Sequence, residues 1–171
     1  MSRMKRAAWV VLIVASLGAI AAWLVVREKK ETFVLDLATE LPNTVRNLPR
    51  LDAFTVKDVT IAGVTKRAIV VDESSRLAWH LTVPDRAWLK VSLGVREDGW
   101  NTNPDGVGFR VTIYDESLLS LSLHPDKEPS DRKWQDFMID LSEYAGESLD
   151  IYLKTDQGNR PAWGNPVIVT R

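Results

Sequence analysis

The sequence contains no cysteine, and only two of its 171 residues are histidine. Disulfide staples, thiolate metal sites, cysteine nucleophiles and an acylated lipoprotein cysteine are therefore excluded at the outset. An excess of one charge is also missing, with 22 Lys and Arg against 23 Asp and Glu. Arg3, Lys5 and Arg6 precede a long apolar run, and without them 19 basic residues face 23 acidic ones. No basic footprint for nucleic acid survives that subtraction. At 45% apolar residues the chain is neither collagen-like nor disordered, and its length fits one ordinary domain.

What is present first is a membrane signal. From Ala7 to Val26 the chain carries twenty consecutive uncharged residues, and a helix of that length spans roughly the 30 Å hydrocarbon core. Trp9 and Trp23 stand near its two ends, where indole rings favour the interface. Arg3, Lys5 and Arg6 outweigh the mixed charges of Arg27 to Glu31, so residues 1–6 are expected as a cytoplasmic stub, 7–26 as a single-pass signal anchor in the inner or cytoplasmic membrane, and everything beyond as extracytoplasmic. A cleaved secretory signal is the competing reading, because Ala19-Ile20-Ala21 has the small-x-small form. The run is longer than the about 7–15 residues of a signal's apolar region. Both readings place the folded part outside the cytoplasm.

Residues 27–51 read as a juxtamembrane linker. Phe33, Leu35, Leu37 and Leu41 suggest a short helix around Thr32 to Leu41, although the first three also fit strand alternation, and Pro42 ends the element either way. From residue 52 to 171 period-two runs dominate. Leu77, Trp79, Leu81 and Val83 alternate with polar or small residues, as do Leu89 to Val95, Val107 to Ile113, Leu119 to Leu123, Phe137 to Leu141 and Leu149 to Leu153. With Phe54 to Ile61, Arg67 to Val71 and Val167 to Thr170 this makes about nine short strands punctuated by Gly, Pro and Asp, the grammar of an all-β, antiparallel two-sheet sandwich.

Four motifs carry a family likeness: Leu77-Ala78-Trp79-His80-Leu81-Thr82-Val83-Pro84, Gly106-Val107-Gly108-Phe109-Arg110-Val111, the stretch from Trp134 to Gly146, and Trp163-Gly164-Asn165-Pro166. Together they resemble the jelly-roll modules of the galactose-binding-like superfamily, of the carbohydrate-binding-module type and of the β-sandwich segments attached to some bacterial sulfatases. The resemblance implies a fold rather than a ligand, since such modules bind sugars in some cases and pack against neighbours in others. Within it, Asp140 to Gly146 reads as a strand end and one helical turn, with Tyr144 folding back on the core. Trp163 to Pro166 reads as a tight lead-in to the last strand.

Sugar recognition needs flat aromatic rings with polar groups around them. Trp79 is in phase with Leu77 and Leu81 and belongs to the core. Trp88 is out of phase with its neighbours, Trp100 sits in the longest polar loop and Trp163 in a turn, which makes these three the candidate stacking residues, against the plainer reading that they cap the ends of the sandwich. Asn101, Asn103, Asp105, Arg110 and Asn165 are the candidate hydrogen-bonding partners. Asn101-x-Asn103-x-Asp105-Gly106 matches the first half of a calcium loop, and the superfamily resemblance adds that such modules often hold a structural calcium. The match fails at its first and last positions, where Asn101 and Thr112 stand for Asp and Glu, so no metal or cofactor is assigned.

No His or Glu falls at zinc spacing around His80 or His124, and Ser120 and Ser122 lack a nucleophile elbow. The expectation is a non-catalytic, membrane-tethered recognition module for envelope or extracellular glycan. The alternative is an assembly subunit that binds a protein partner in an envelope complex, with Ala15, Ser16, Gly18 and Ala19 contributing a helix-packing stripe.

Overall fold

In the computed structural model, residues 31–156, 158 and 160–171 are described. The expected stub at 1–6, the anchor at 7–26 and the first part of the linker lie outside them. Among the described residues no helix is long and apolar enough to cross a membrane.

Among the described residues eleven strands form two antiparallel sheets, the two-sheet arrangement that the alternation predicts. They are β1 (Thr32–Asp36), β2 (Arg46–Leu48), β3 (Thr55–Ile61), β4 (Val64–Val70), β5 (Ser75–Thr82), β6 (Ala87–Val95), β7 (Val107–Ile113), β8 (Glu116–Leu123), β9 (Gln135–Asp140), β10 (Ser148–Asp156) and β11 (Pro161–Thr170). The first sheet runs β3-β4-β11-β6-β9 with β1 also paired to β11, and the second runs β2-β5-β10-β7-β8. The inner faces meet in one core of alternating residues, among them Leu89, Val91 and Leu93 of β6 and Ile151 and Leu153 of β10. At its centre the Trp163 ring meets Phe109 edge to face, with centroids 5.2 Å apart at 81°. Each fully buried side chain of this kind contributes about 1.5–3 kcal/mol relative to exposure.

All nine expected strands form. The linker does not. Thr32–Asp36 is a strand rather than a helix, because its amides find an open ladder on β11, in register from Thr32 opposite Thr170 to Asp36 opposite Val167. The Asp36 carboxylate then accepts the Ala38 N–H at 2.8 Å and turns the chain, leaving Leu37 and Leu41 buried. Arg46–Leu48 adds an edge strand to β5. The sandwich therefore begins at residue 32, and 32–51 is part of it.

The motif Trp163-Gly164-Asn165-Pro166 lies inside β11 rather than ahead of it. The ladder to β6 is interrupted between Gly164 and Val167, and Asn165 takes φ +43°. On the opposite edge of β11, Ala162–Gly164 pair with β4 before the interruption and Val167–Thr170 with β1 after it. Pro166, which has no N–H to donate, sits where the partner changes. The turn after β9 matches expectation: Ser142 N–H donates to the Asp140 carboxylate at 2.9 Å, Tyr144 is buried, and Gly146 takes φ +83°.

The β3–β4 hairpin closes through Ala62 and Gly63, both at positive φ. Together with Trp134, its Val59, Ile61, Ala68 and Val70 form a second apolar cluster on the outward side of the first sheet, where β11 offers Ala162. The floor beneath the Trp134 ring is made of small residues. A Cβ on Gly94 would stand 2.6 Å from Ile61 Cδ1 and 2.9 Å from Trp134 Cε3, and one on Gly164 would stand 2.9 Å from Trp134 Cζ3. The indole N–H donates to Val64 O at 2.9 Å, so the ring fastens the hairpin as well as filling space.

Gly94→Ala is expected to cost about 1–3 kcal/mol by overpacking. In a Trp134→Ala background most of that added cost should disappear. Urea unfolding of the two single variants and the double variant measures it, and an unchanged cost in the second background would contradict the platform.

Candidate functional site

The candidate residues named from sequence are not brought together. Trp163 is in the core at 1% exposure, so neither face of its ring is available to a ligand. It alternates inward with Ala162 and Gly164, a phase hidden in sequence by the small residues on either side. Trp88 faces outward on the first sheet, half-buried, with the Arg171 guanidinium 5.7 Å from its ring. Asn165 lies on that same side of the sandwich, beside a cleft of about 640 Å³. Arg110 projects from the opposite side and pairs with Asp156 at 3.0 Å.

Trp100, Asn101, Asn103 and Asp105 share one loop at an end of the sandwich. That loop is spent on itself. The Trp100 indole donates to Val95 O at 2.9 Å, its ring packs on the core, and Arg132 lies 5.5 Å from its centroid. Asn103 is buried and its side-chain amide donates to Gly99 O at 2.7 Å, while Asn101 and Asp105 are exposed. Among the described residues no group of three or more His, Asp or Glu side chains is placed to hold a metal ion. Nearby charges are mutually satisfied: Arg160 pairs with Asp72 at 2.7 Å and Asp98 at 3.3 Å, and Arg96 also pairs with Asp72. The Arg160 hydrogen bond is the main cause holding the Asp72 carboxyl below its ordinary range; partial burial opposes it and Arg96 adds to it.

The cleft on the first sheet is similarly self-contained. Lys66 Nζ donates to Ser92 Oγ at 2.7 Å and to Asp136 Oδ1 at 2.5 Å, and Ser92 donates to the same oxygen at 2.6 Å. Burial pushes the Asp136 carboxyl up, but the Lys66 and Ser92 hydrogen bonds and the ammonium charge together outweigh it, leaving the group below the usual carboxylate range. This cluster latches β4 to β6 and β9.

A different cleft, of about 570 Å³, opens on the outward face of the second sheet. Strict alternation builds it. Leu149, Ile151, Leu153 and Thr155 of β10 point into the core, so Asp150, Tyr152 and Lys154 must point out. Arg76 and His80 of β5 do likewise, separated by Ala78, which is fully buried between its cross-strand neighbours Arg46 and Tyr152. His80 Nδ1 and Asp150 Oδ1 stand 2.8 Å apart. At the rim, Ile113 and Glu116 face each other across a two-residue turn whose first member, Tyr114, takes φ +51°. Tyr114 is 59% exposed and its hydroxyl donates to Glu147 at 3.0 Å. A bulky residue in the left-handed region is uncommon, and Gly, Asn or Asp would suit the turn better. Arg46 and Arg76 are exposed, and neither side chain has a hydrogen bond or ion pair among the described residues.

No protein-family model matches the sequence. The chain is 37% identical over 101 residues to an uncharacterized protein of Archaeoglobus fulgidus, a match that covers 52% of this chain and 25% of that protein. The chain thus spans only a quarter of that relative's length. Among solved structures, it is similar to that of the catalytic domain of Clostridium perfringens ZmpB with its CBM51-1 and CBM51-2 domains, with 13% identity, 83% of this chain and 14% of that one covered, and a TM-score of 0.51. The likeness is one of fold, a two-sheet antiparallel β-sandwich. A CBM51 from Clostridium perfringens GH95 in complex with methyl-galactose is similar at 15% identity, covering 83% and 93% of the two chains with a TM-score of 0.49. A family 35 carbohydrate binding module from Clostridium thermocellum is similar at 7% identity, covering 82% and 97% with a TM-score of 0.44.

The Asp136 latch gives a pH signature. A carboxyl held below its unfolded value stabilises the fold above that value, and the contribution is lost as pH falls through the lowered folded value. Asp136→Asn should therefore be less stable than the native protein at neutral pH, with the gap closing in acid. Urea midpoints from pH 7 to pH 3 check this, and a gap that is constant with pH would contradict the latch.

Proposed function

We propose that the protein is a non-catalytic glycan-recognition module and that the saccharide lies on the outward face of the second sheet. The observation that carries this reading is Tyr114, a mostly exposed aromatic ring held at a left-handed backbone position at the rim of a cleft whose neighbouring groups include unpartnered hydrogen-bond donors. A cleft of about 570 Å³ falls within the size range of small-molecule sites, and one flat ring with a few convergent polar groups is the arrangement that holds a sugar's C–H face and hydroxyls. The likeness in fold to CBM51 domains supports the reading.

In this reading Ala7 to Val26 tethers the module to the membrane and the sandwich is displayed on the extracytoplasmic side. A protein partner is the weaker reading, because the exposed large apolar side chains, such as Phe33, Leu48, Val64 and Met138, are scattered over β1, β2, β4 and β9 in both sheets rather than gathered in one patch.

Tyr114→Asn tests the site. It should melt no lower than the native protein, because the turn gains a residue suited to positive φ, while saccharide affinity falls by about 3- to 10-fold with the lost ring. Glycan-array screening followed by calorimetry reads the affinity and a thermal melt reads the stability. A large loss of stability with unchanged affinity would remove Tyr114 from the site.

A further inference from the structure

The cleft on the second sheet concentrates positive charge against the preference of the sheet itself. Residues directly opposite each other on one face of an antiparallel pair have Cβ atoms about 4.5–5.5 Å apart, and like charges there repel. Lys154 of β10 stands directly opposite Arg76 on β5 and directly opposite Arg110 on β7. Three cations thus occupy one cross-strand row. Arg46 joins them from the edge strand β2, in the adjacent row that it shares with Ala78 and Tyr152.

The acidic groups nearby do not neutralise the row. Asp156 is taken by Arg110, and Asp150 stands against His80. Burial together with the charges of Arg76 and Arg110 pushes the Lys154 ammonium below its ordinary value, and the opposing pull of Asp156 and Asp115 is smaller. The Lys154 ammonium lies 5.0 Å from the Tyr152 ring centroid, so its face contact is aromatic rather than ionic. Lys66, Arg96 and Arg160 each hold a carboxylate, whereas Arg46 and Arg76, which line this cleft, hold none among the described residues.

We propose that the corner of the cleft formed by Arg46, Arg76 and Lys154 binds the anionic group of an acidic saccharide, a carboxylate or a sulfate ester. This rests on the glycan reading above and specifies its ligand class. Guanidinium groups match the paired oxygens of either anion, and an anion there relieves the row's repulsion as well as forming charge-assisted hydrogen bonds. The neutral part of the sugar then extends toward Tyr114 and the His80–Asp150 pair, which line the same cleft. Nucleic acid is a poorer occupant, since the whole chain carries a formal charge of −1 and the positive row is confined to one cleft.

Calorimetry on the full-length chain tests this with matched probes: an oligogalacturonate against its methyl-esterified neutral form, a sulfated galactan oligosaccharide against its desulfated form, and inorganic sulfate alone. The acidic member of at least one pair should bind ten-fold or more tightly than its neutral counterpart, more weakly as salt rises, and well above inorganic sulfate. Arg46→Gln with Arg76→Gln should erase the difference within the pair while leaving the thermal midpoint unchanged or higher, because a repulsion is removed. Equal binding within both pairs would overturn the charge inference and leave the glycan reading standing. Binding of no saccharide would overturn the glycan reading itself. Inorganic sulfate binding as tightly as the sulfated sugar, or an acid preference that survives the double variant, would overturn the assignment of this corner.

Discussion

Two sheets meet where the Trp163 ring abuts Phe109, 5.2 Å between centroids, and the rest of the molecule follows from keeping that interface dry. Each strand that contributes to it must bury every second residue, and a slip of one position would turn its entire apolar set outward. The register of β5, β10 and β7 is therefore fixed from the inside, by Leu77, Ile151, Leu153 and Phe109. The outward side chains inherit positions they did not select. Arg76, Lys154 and Arg110 form a row because the core residues beside them pair, and the cost of that row is borne by the interface beneath.

The end loops, which look richest in sequence, spend several of their polar groups on internal contacts. Loops that bridge the sandwich must satisfy their own backbone and side-chain groups; here Trp100 donates to Val95 O, Asn103 to Gly99 O, and Arg160 pairs with Asp72. Both outward sheet faces carry clefts, but that of the first sheet is fastened by the Lys66–Ser92–Asp136 cluster. The cleft of the second sheet holds Arg46 and Arg76 without carboxylates among the described residues. Recognition on a flat, rigid strand surface also needs little ordering on binding, which favours affinity from a small number of contacts.

Period-two alternation makes most of the fold legible in the amino-acid sequence, down to the inward phase of Trp79 and the turn from Asp140 to Gly146. It leaves residues 32–51 open, since Phe33, Leu35 and Leu37 fit strand as well as helix, and the strands form because β11 and β5 offer edges to pair with, a fact about partners that a single segment does not carry. Trp163 escapes it for a related reason: Gly164 and Ala162, the small residues that make room for Trp134 on the far side of the sheet, hide the alternation. The cleft is half readable. Asp150, Tyr152 and Lys154 are the polar phase of a strand whose apolar phase is plain, but nothing in sequence says that β10 lies between β5 and β7, which is what brings Arg76 and Arg110 alongside.

The ligand-binding surface we propose is this strand face and not the loops. Amide chemical-shift mapping of the isotope-labelled chain, titrated with an acidic oligosaccharide, tests it most directly. Shifts confined to β2, β5, β10 and the Tyr114 turn are the expected result. Shifts confined to the loop from Glu97 to Gly106 and its neighbours would contradict it.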